Sequence, residues 1–188
     1  MKLIVLISGE GSNLQALIDN KFEIELVVSN KRNAYGLDRA ENAGINNVYT
    51  PYDKDVDTRE TYDAKLICDI NRFRNRSETY LIVCAGYMRI LSPFFIHYFN
   101  KNIINLHPAL PGEFPGATAI EDAYRAFKSG KITRTGIMIH YVTEVLDGGK
   151  PIATIEIPIH KSDSLNDLKN RIKYNEKKLL INVIKEYH

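Results

Sequence analysis

Asn105 and His107 stand two residues apart where an apolar run ends, in Ile103-Ile104-Asn105-Leu106-His107-Pro108. On an extended strand residues i and i+2 share a face, so the amide and the imidazole point the same way. An amide donates a hydrogen bond to a carbonyl oxygen, and an imidazole moves a proton or steadies developing negative charge. Together they suit acyl or formyl transfer. A histidine near a strand end also has a purely structural reading, as a satisfied interior residue. The neighbouring Asn105 and the following Pro108-Ala109-Leu110-Pro111-Gly112 loop weaken that structural reading without abolishing it.

Two further stretches carry chemistry-bearing residues. Ser8-Gly9-Glu10-Gly11-Ser12-Asn13 places two glycines and short polar side chains at a helix start, where free N–H groups and the helix dipole attract a phosphate. The loop is no Walker A motif and lacks the third glycine of a dinucleotide fingerprint. About twenty residues on, where a ribose-binding acid belongs, stand Ser29 and Asn30, so a nicotinamide cofactor does not fit. The competing reading is a tight turn without a ligand, and Glu10 counts toward it. Asp147, in Leu146-Asp147-Gly148-Gly149, is either a turn residue between two strands or a carboxylate presented by that turn. His140 shares a strand face with Met138 and Val142 and reads equally as a core residue. Glu176 lies four after Ile172 and three before Leu179, on an apolar helical stripe, where it needs solvent, a polar partner or a ligand.

The elements that must position these residues follow from hydrophobic pattern. Lys2 to Ser8 and Tyr80 to Ala85 are continuous apolar runs, the mark of strands buried on both faces of a parallel sheet, and Glu23 to Ser29 is a further strand. A weaker strand covers Asn47 to Thr50, and Asn102 to Leu106 carries the Asn-His pair. Helices are expected from about Leu14 to Asn20, capped by Ser12 or Asn13, then at Leu37 to Ala43, Thr58 to Arg74, after Pro93, and at Thr118 to Ser129. Thr135 to Val142 and Pro151 to Ile157 are separated by too few residues for a parallel crossover and form an antiparallel pair. A long helix from Leu165 to Tyr187 closes the chain. The fold class is α/β: an open, mostly parallel, Rossmann-like sheet with helices on both faces, an antiparallel C-terminal edge hairpin and a long C-terminal helix. In such sheets ligands lie beyond the carboxyl ends of the strands, where Gly9 to Asn13, Gly86 to Leu91, Asn105 to Gly116 and Val142 to Gly149 all fall.

Composition narrows the class. The 188 residues fit a single domain, 1–188, and 44% hydrophobic residues is ordinary for a folded chain. Lys plus Arg number 25 against 23 Asp plus Glu, which gives no electrostatic footprint for nucleic acid. The longest apolar run is too short for a membrane span and lacks a cleavage site, so no membrane partner is expected and the protein reads as cytoplasmic. Cys68 and Cys84 have neither metal-ligand nor redox spacing and read as buried, reduced thiols, and no Cys/His cluster offers a metal site.

Across essentially its whole length the chain resembles the phosphoribosylglycinamide formyltransferase family, folate-dependent transformylases of purine synthesis. The likeness rests on Ile4 to Leu17 (IVLISGEGSNLQAL), Ala34-Tyr35-Gly36-Leu37, Arg59 with Tyr62, Ala85 to Pro93 (AGYMRILSP), Asn105-Leu106-His107-Pro108 and Asp147-Gly148-Gly149. The resemblance implies formyl transfer from 10-formyltetrahydrofolate, as co-substrate, to the amine of glycinamide ribonucleotide. It implies that Gly11, Ser12 and Asn13 hold the substrate phosphate, with Arg59 as an added cation and Glu176 on the nucleotide. Met88, Arg89, Ile90, Leu91 and Val142 would line the folate pocket. Asn105, His107 and Asp147 match the catalytic trio, with Asn105 and a protonated His107 on the oxyanion and Asp147 raising the proton affinity of that histidine. No metal is required. Many relatives have histidines just after the glycine matching Gly116, whereas this chain reads Ala117-Thr118-Ala119-Ile120. The competing functions are hydrolysis of 10-formyltetrahydrofolate, formylation of another amine, and a non-catalytic nucleotide-binding module.

Overall fold

The computed structural model describes residues 1–99 and 102–187. Among them are seven strands and six helices. The strands are β1 (Lys2–Ile7), β2 (Ile24–Ser29), β3 (Asn47–Tyr49), β4 (Tyr80–Cys84), β5 (Ile103–His107), β6 (Arg134–Tyr141) and β7 (Pro151–Pro158). The helices are α1 (Ser12–Asp19), α2 (Tyr35–Asn42), α3 (Arg59–Phe73), α4 (Pro93–Tyr98), α5 (Ala119–Lys128) and α6 (Leu165–Glu186). The sheet runs in the order β3-β2-β1-β4-β5-β6-β7. Backbone contacts divide the chain into two compact units, Met1–Ile104 and Asn105–His188.

In the first unit β1 pairs in parallel with both β2 and β4, and β2 with β3. Leu3 to Ile7 and all of β4 are buried, which is why these strands read as unbroken apolar runs rather than alternating ones. Chain order reverses between β1 and β4, so the loops leaving those two strands flank the switch point of the sheet. α1 begins one or two residues earlier than the periodicity predicts. Its N-cap is Gly11, not Ser12 or Asn13, and no side chain caps it. Gly11 adopts φ 70, a left-handed conformation that bends the chain into the helix and leaves Ser12 and Asn13 inside the first turn. A Cβ there would also lie 2.7 Å from Gly36 Cα. α3 and α4 start as expected, with Thr58 and Ser92 accepting from the N–H groups of Thr61 and Phe95.

In the second unit β6 and β7 are antiparallel, as the short connection requires. β6 is buried from Thr135 to His140, and α6 packs against both strands with Leu168, Ile172, Leu179, Leu180, Val183 and Ile184 buried. Ser164 and Asp167 form a capping box at the start of α6. Just before it, Arg171 grips Asp163 with two bonds of 2.6 and 2.8 Å. Cys84 is buried, but Cys68 is exposed, contrary to expectation. It shares the outer side of α3 with Ala64 and Lys65, while Leu66, Ile67 and Ile70 take the inner side.

Candidate active site

In the first unit the glycine loop is held by its neighbours. Gly36 N–H donates to the Gly9 carbonyl at 3.0 Å, and Arg39 Nε donates to the Glu10 carbonyl at 2.8 Å. The close approach of Gly11 and Gly36 explains why both helix starts need glycine. The first intrahelical bond of α1 is Gln15 N–H to the Gly11 carbonyl, which leaves the earlier N–H groups at the helix end. Asn13 is buried, and its Oδ1 has no hydrogen-bond partner among the described residues. Ser8 joins this loop to the one leaving β4: its Oγ accepts from Met88 N–H at 2.7 Å and donates to Asn30 Oδ1 at 2.6 Å.

Along the second loop Met88 and Ile90 are exposed while Leu91 is buried. The Arg89 guanidinium carbon lies 3.5 Å from the Tyr52 ring centroid and 4.4 Å from that of Tyr62. Arg59 is an exposed residue opening α3. Asp63, one turn on, is buried and accepts from Ser92 N–H at 2.5 Å; burial pushes its carboxyl above the ordinary range.

In the second unit Asn105, His107 and Asp147 fall into one hydrogen-bonded cluster with His140. β5 delivers the first two on one face. Asp147 comes from the loop after β6, where Gly148 N–H donates to the Val145 carbonyl at 3.1 Å. Asp147 has φ 50, so it occupies a left-handed turn position and also turns its carboxylate inward, with the side chain 9% exposed. The turn reading and the chemical reading of this residue therefore coincide. Its Oδ2 accepts from Gly116 N–H at 2.8 Å and its Oδ1 from Asn105 Nδ2 at 3.3 Å. His107 Nδ1 lies 3.5 Å from Oδ2, and His140 Nε2 lies 3.7 Å from Oδ1.

Hydrogen-bond chemistry assigns the His107 tautomer. Nε2 lies 3.1 Å from the Phe114 carbonyl, which can only accept, so Nε2 carries hydrogen. Burial pushes the His107 pKa below the ordinary histidine value; the Asp147 charge and the Phe114 carbonyl act in the opposite sense and are outweighed. Asp147 is desolvated, which raises its pKa, yet the groups around its two oxygens, the Gly116 N–H among them, hold it below the ordinary carboxylate value. The site thus holds Asp147 as an ionised carboxylate.

These shifts predict how stability responds to acid. A histidine whose folded pKa is depressed costs nothing above its unfolded value of 6.5, and costs progressively more as the pH falls below it. Asp163, held low by Arg171, adds stability that persists above the unfolded carboxylate value and is lost as the pH falls through its folded one. Urea midpoints should therefore be level above pH 6.5 and begin to fall below it. His107→Gln should flatten the first part of that decline; an unchanged slope would refute the assignment.

The sequence leaves His140 open between a chemical and a core reading, and it gives Gly116 N–H and the Phe114 carbonyl no part. The only signal was position: His140 lies near the end of its strand, as His107 does. Val142 follows β6 directly and is partly buried, and Glu176 sits midway along α6, also partly buried. Among the described residues no group of three or more His, Cys, Asp or Glu could hold a metal ion, and no helix is long and apolar enough to cross a membrane.

An α/β sheet that presents an amide, an imidazole and an ionised carboxylate in one cluster is a framework suited to an acyl-group transferase. Residues 1–184 match the formyl transferase family. The chain is 45% identical to phosphoribosylglycinamide formyltransferase of Schizosaccharomyces pombe, over 97% of this chain and 94% of that one. It is 46% identical to the enzyme of that name from Dictyostelium discoideum, over 97% and 96%. The crystal structure of phosphoribosylglycinamide formyltransferase from Streptococcus pneumoniae superposes with a TM-score of 0.88 at 32% identity, covering 99% of this chain and 98% of that one. The chain belongs to the formyl transferase family.

Proposed function

We propose that residues 1–188 form one formyltransferase domain that acts on small molecules in the cytoplasm. It moves the formyl group of 10-formyltetrahydrofolate to the amine of glycinamide ribonucleotide. The observation that carries this reading is the Asn105–His107–Asp147 cluster, found in a chain whose relatives bear that enzyme name. The glycine loop at the start of α1 suits the ribonucleotide phosphate, through Gly11, Ser12 and Asn13, with Arg59 adding positive charge and Glu176 contacting the nucleotide. Met88 and Ile90, apolar yet exposed, suit the flat pterin of the folate, and Arg89, Leu91 and Val142 are assigned to the folate as well.

The substrate amine attacks the formyl carbon, a C–N bond forms, and the formyl oxygen gains negative charge. Asn105 Nδ2 and His107 Nε2 are N–H donors suited to that oxygen. His107 donates through Nε2, with the formyl oxygen replacing the Phe114 carbonyl as acceptor. Asp147, ionised, takes the amine proton, through water, and returns it to the folate nitrogen as the bond from that nitrogen to the formyl carbon breaks. The products are formylglycinamide ribonucleotide and tetrahydrofolate.

The test is release of tetrahydrofolate by purified protein with 10-formyltetrahydrofolate, with and without glycinamide ribonucleotide. Release that requires the ribonucleotide is expected. Folate turnover indifferent to it would replace this reading with hydrolysis, and ribonucleotide binding with no turnover would replace it with a binding module.

A further inference from the structure

His140 has no part in the reaction just described, yet it is 2% exposed and bonded at both ring nitrogens. Nδ1 lies 2.9 Å from the Tyr141 carbonyl, which can only accept, so Nδ1 carries hydrogen. In the neutral ring Nε2 is then a bare lone pair, and Asn105 Nδ2 lies 3.1 Å from it. The other hydrogen of the Asn105 amine goes to Asp147 Oδ1 at 3.3 Å. A flipped carboxamide would set its oxygen against the His140 lone pair and the Asp147 carboxylate, two acceptors, so the network admits one orientation only.

We infer that His140 is a positioning residue that acts through Asn105, anchoring one amine hydrogen so that the other is aimed at the formyl oxygen. The inference rests on the formyl-transfer reading. The two bonds are unequal. The bond to Asp147 is the longer, and its acceptor weakens when Asp147 takes up the proton of the attacking amine. The hydrogen it held is then free as negative charge develops on the formyl oxygen, while the bond to His140 keeps the amine in place. Proton arrival at Asp147 and donation by Asn105 thus become one event. Without His140 the carboxamide can rotate and present its oxygen, an acceptor, to the oxyanion.

His140→Ala should lower kcat about 10- to 100-fold, the scale of a misaimed group, with KM for both substrates changed less than about twofold, since ground-state binding is not what is lost. His140→Gln can accept through Oε1 and donate through Nε2, and should recover most of kcat. In an Asn105→Ala background His140→Ala should cost nothing further, because the two act as a unit. A further loss in that background, or an unchanged kcat in folded His140→Ala, overturns the inference. Should His140→Ala fail to fold, the Gln variant and a long-range 1H–15N NMR spectrum of the wild type still decide it. The spectrum must show the neutral ring protonated at Nδ1; hydrogen at Nε2 refutes the anchor. That spectrum needs no substrate, so it judges the anchor even if wild-type turnover fails and removes the formyl-transfer reading.

Discussion

Asp147→Asn lowers kcat for formyl transfer by about 10²- to 10⁴-fold, the usual contribution of a positioned acid or base, and leaves the fold in place. The backbone at 147 is left-handed, a conformation Asn tolerates as readily as Asp, so the turn is kept. The chemistry is not. An amide takes up no proton, and its own amine must face either Gly116 N–H or Asn105 Nδ2, donor against donor. Steady-state kinetics with both substrates, alongside a thermal melt, measure the two effects separately. Full activity in a folded variant would remove Asp147 from the reaction.

The second large effect is on stability. Gly149 is buried, and a Cβ there would collide with the Tyr141 carbonyl oxygen and come within 3.2 Å of His140 Nδ1. That carbonyl is the acceptor for His140, and Tyr141 N–H donates to the Lys150 carbonyl at 3.1 Å, so the obstacle is backbone pinned on both sides. Gly149→Ala should cost about 3 kcal/mol, the upper end for overpacking, or roughly 6 to 12 °C in Tm for a chain of this length. Gly148→Ala is the internal comparison. Its Cβ would meet the Val145 side chain, exposed and free to rotate, and the loss should be smaller. Calorimetry on both variants decides it, and equal melting temperatures would mean the β6–β7 connection yields more easily than its hydrogen bonds imply.

The parallel part of the fold is legible in the sequence because its central strands, β1 and β4, are buried on both faces. Val5, Val27, Val83 and their neighbours are apolar without alternation, and such runs between helical periods admit few architectures. Helix starts were less legible. Ser12 and Asn13 have capping side chains, but the turn into α1 is made by backbone freedom at Gly11, which propensity does not rank above a polar cap. The direction of the His107 shift is not legible in the sequence for a different reason: the nearby acid is visible there, whereas the desolvation that opposes it depends on packing. His140 stays open because an imidazole in an apolar strand looks the same whether its ring meets a carbonyl or a carboxamide. Cys68 was misplaced because a thiol fits either side of an amphipathic helix.

The Asp147-Gly148 bond carries a hazard of its own. Among aspartates, one followed by Gly is the most open to ageing, in which the glycine nitrogen attacks the side-chain carbonyl, closes a succinimide ring and reopens it as isoaspartate. That attack needs a free nitrogen, a mobile side chain and a carboxyl that can shed oxygen as water. Here the Gly148 N–H is bonded to the Val145 carbonyl, both carboxylate oxygens are held by Gly116 and Asn105, and the low pKa keeps the group ionised. The bonds that pose Asp147 to accept a proton are the same ones that protect its backbone from slow self-damage.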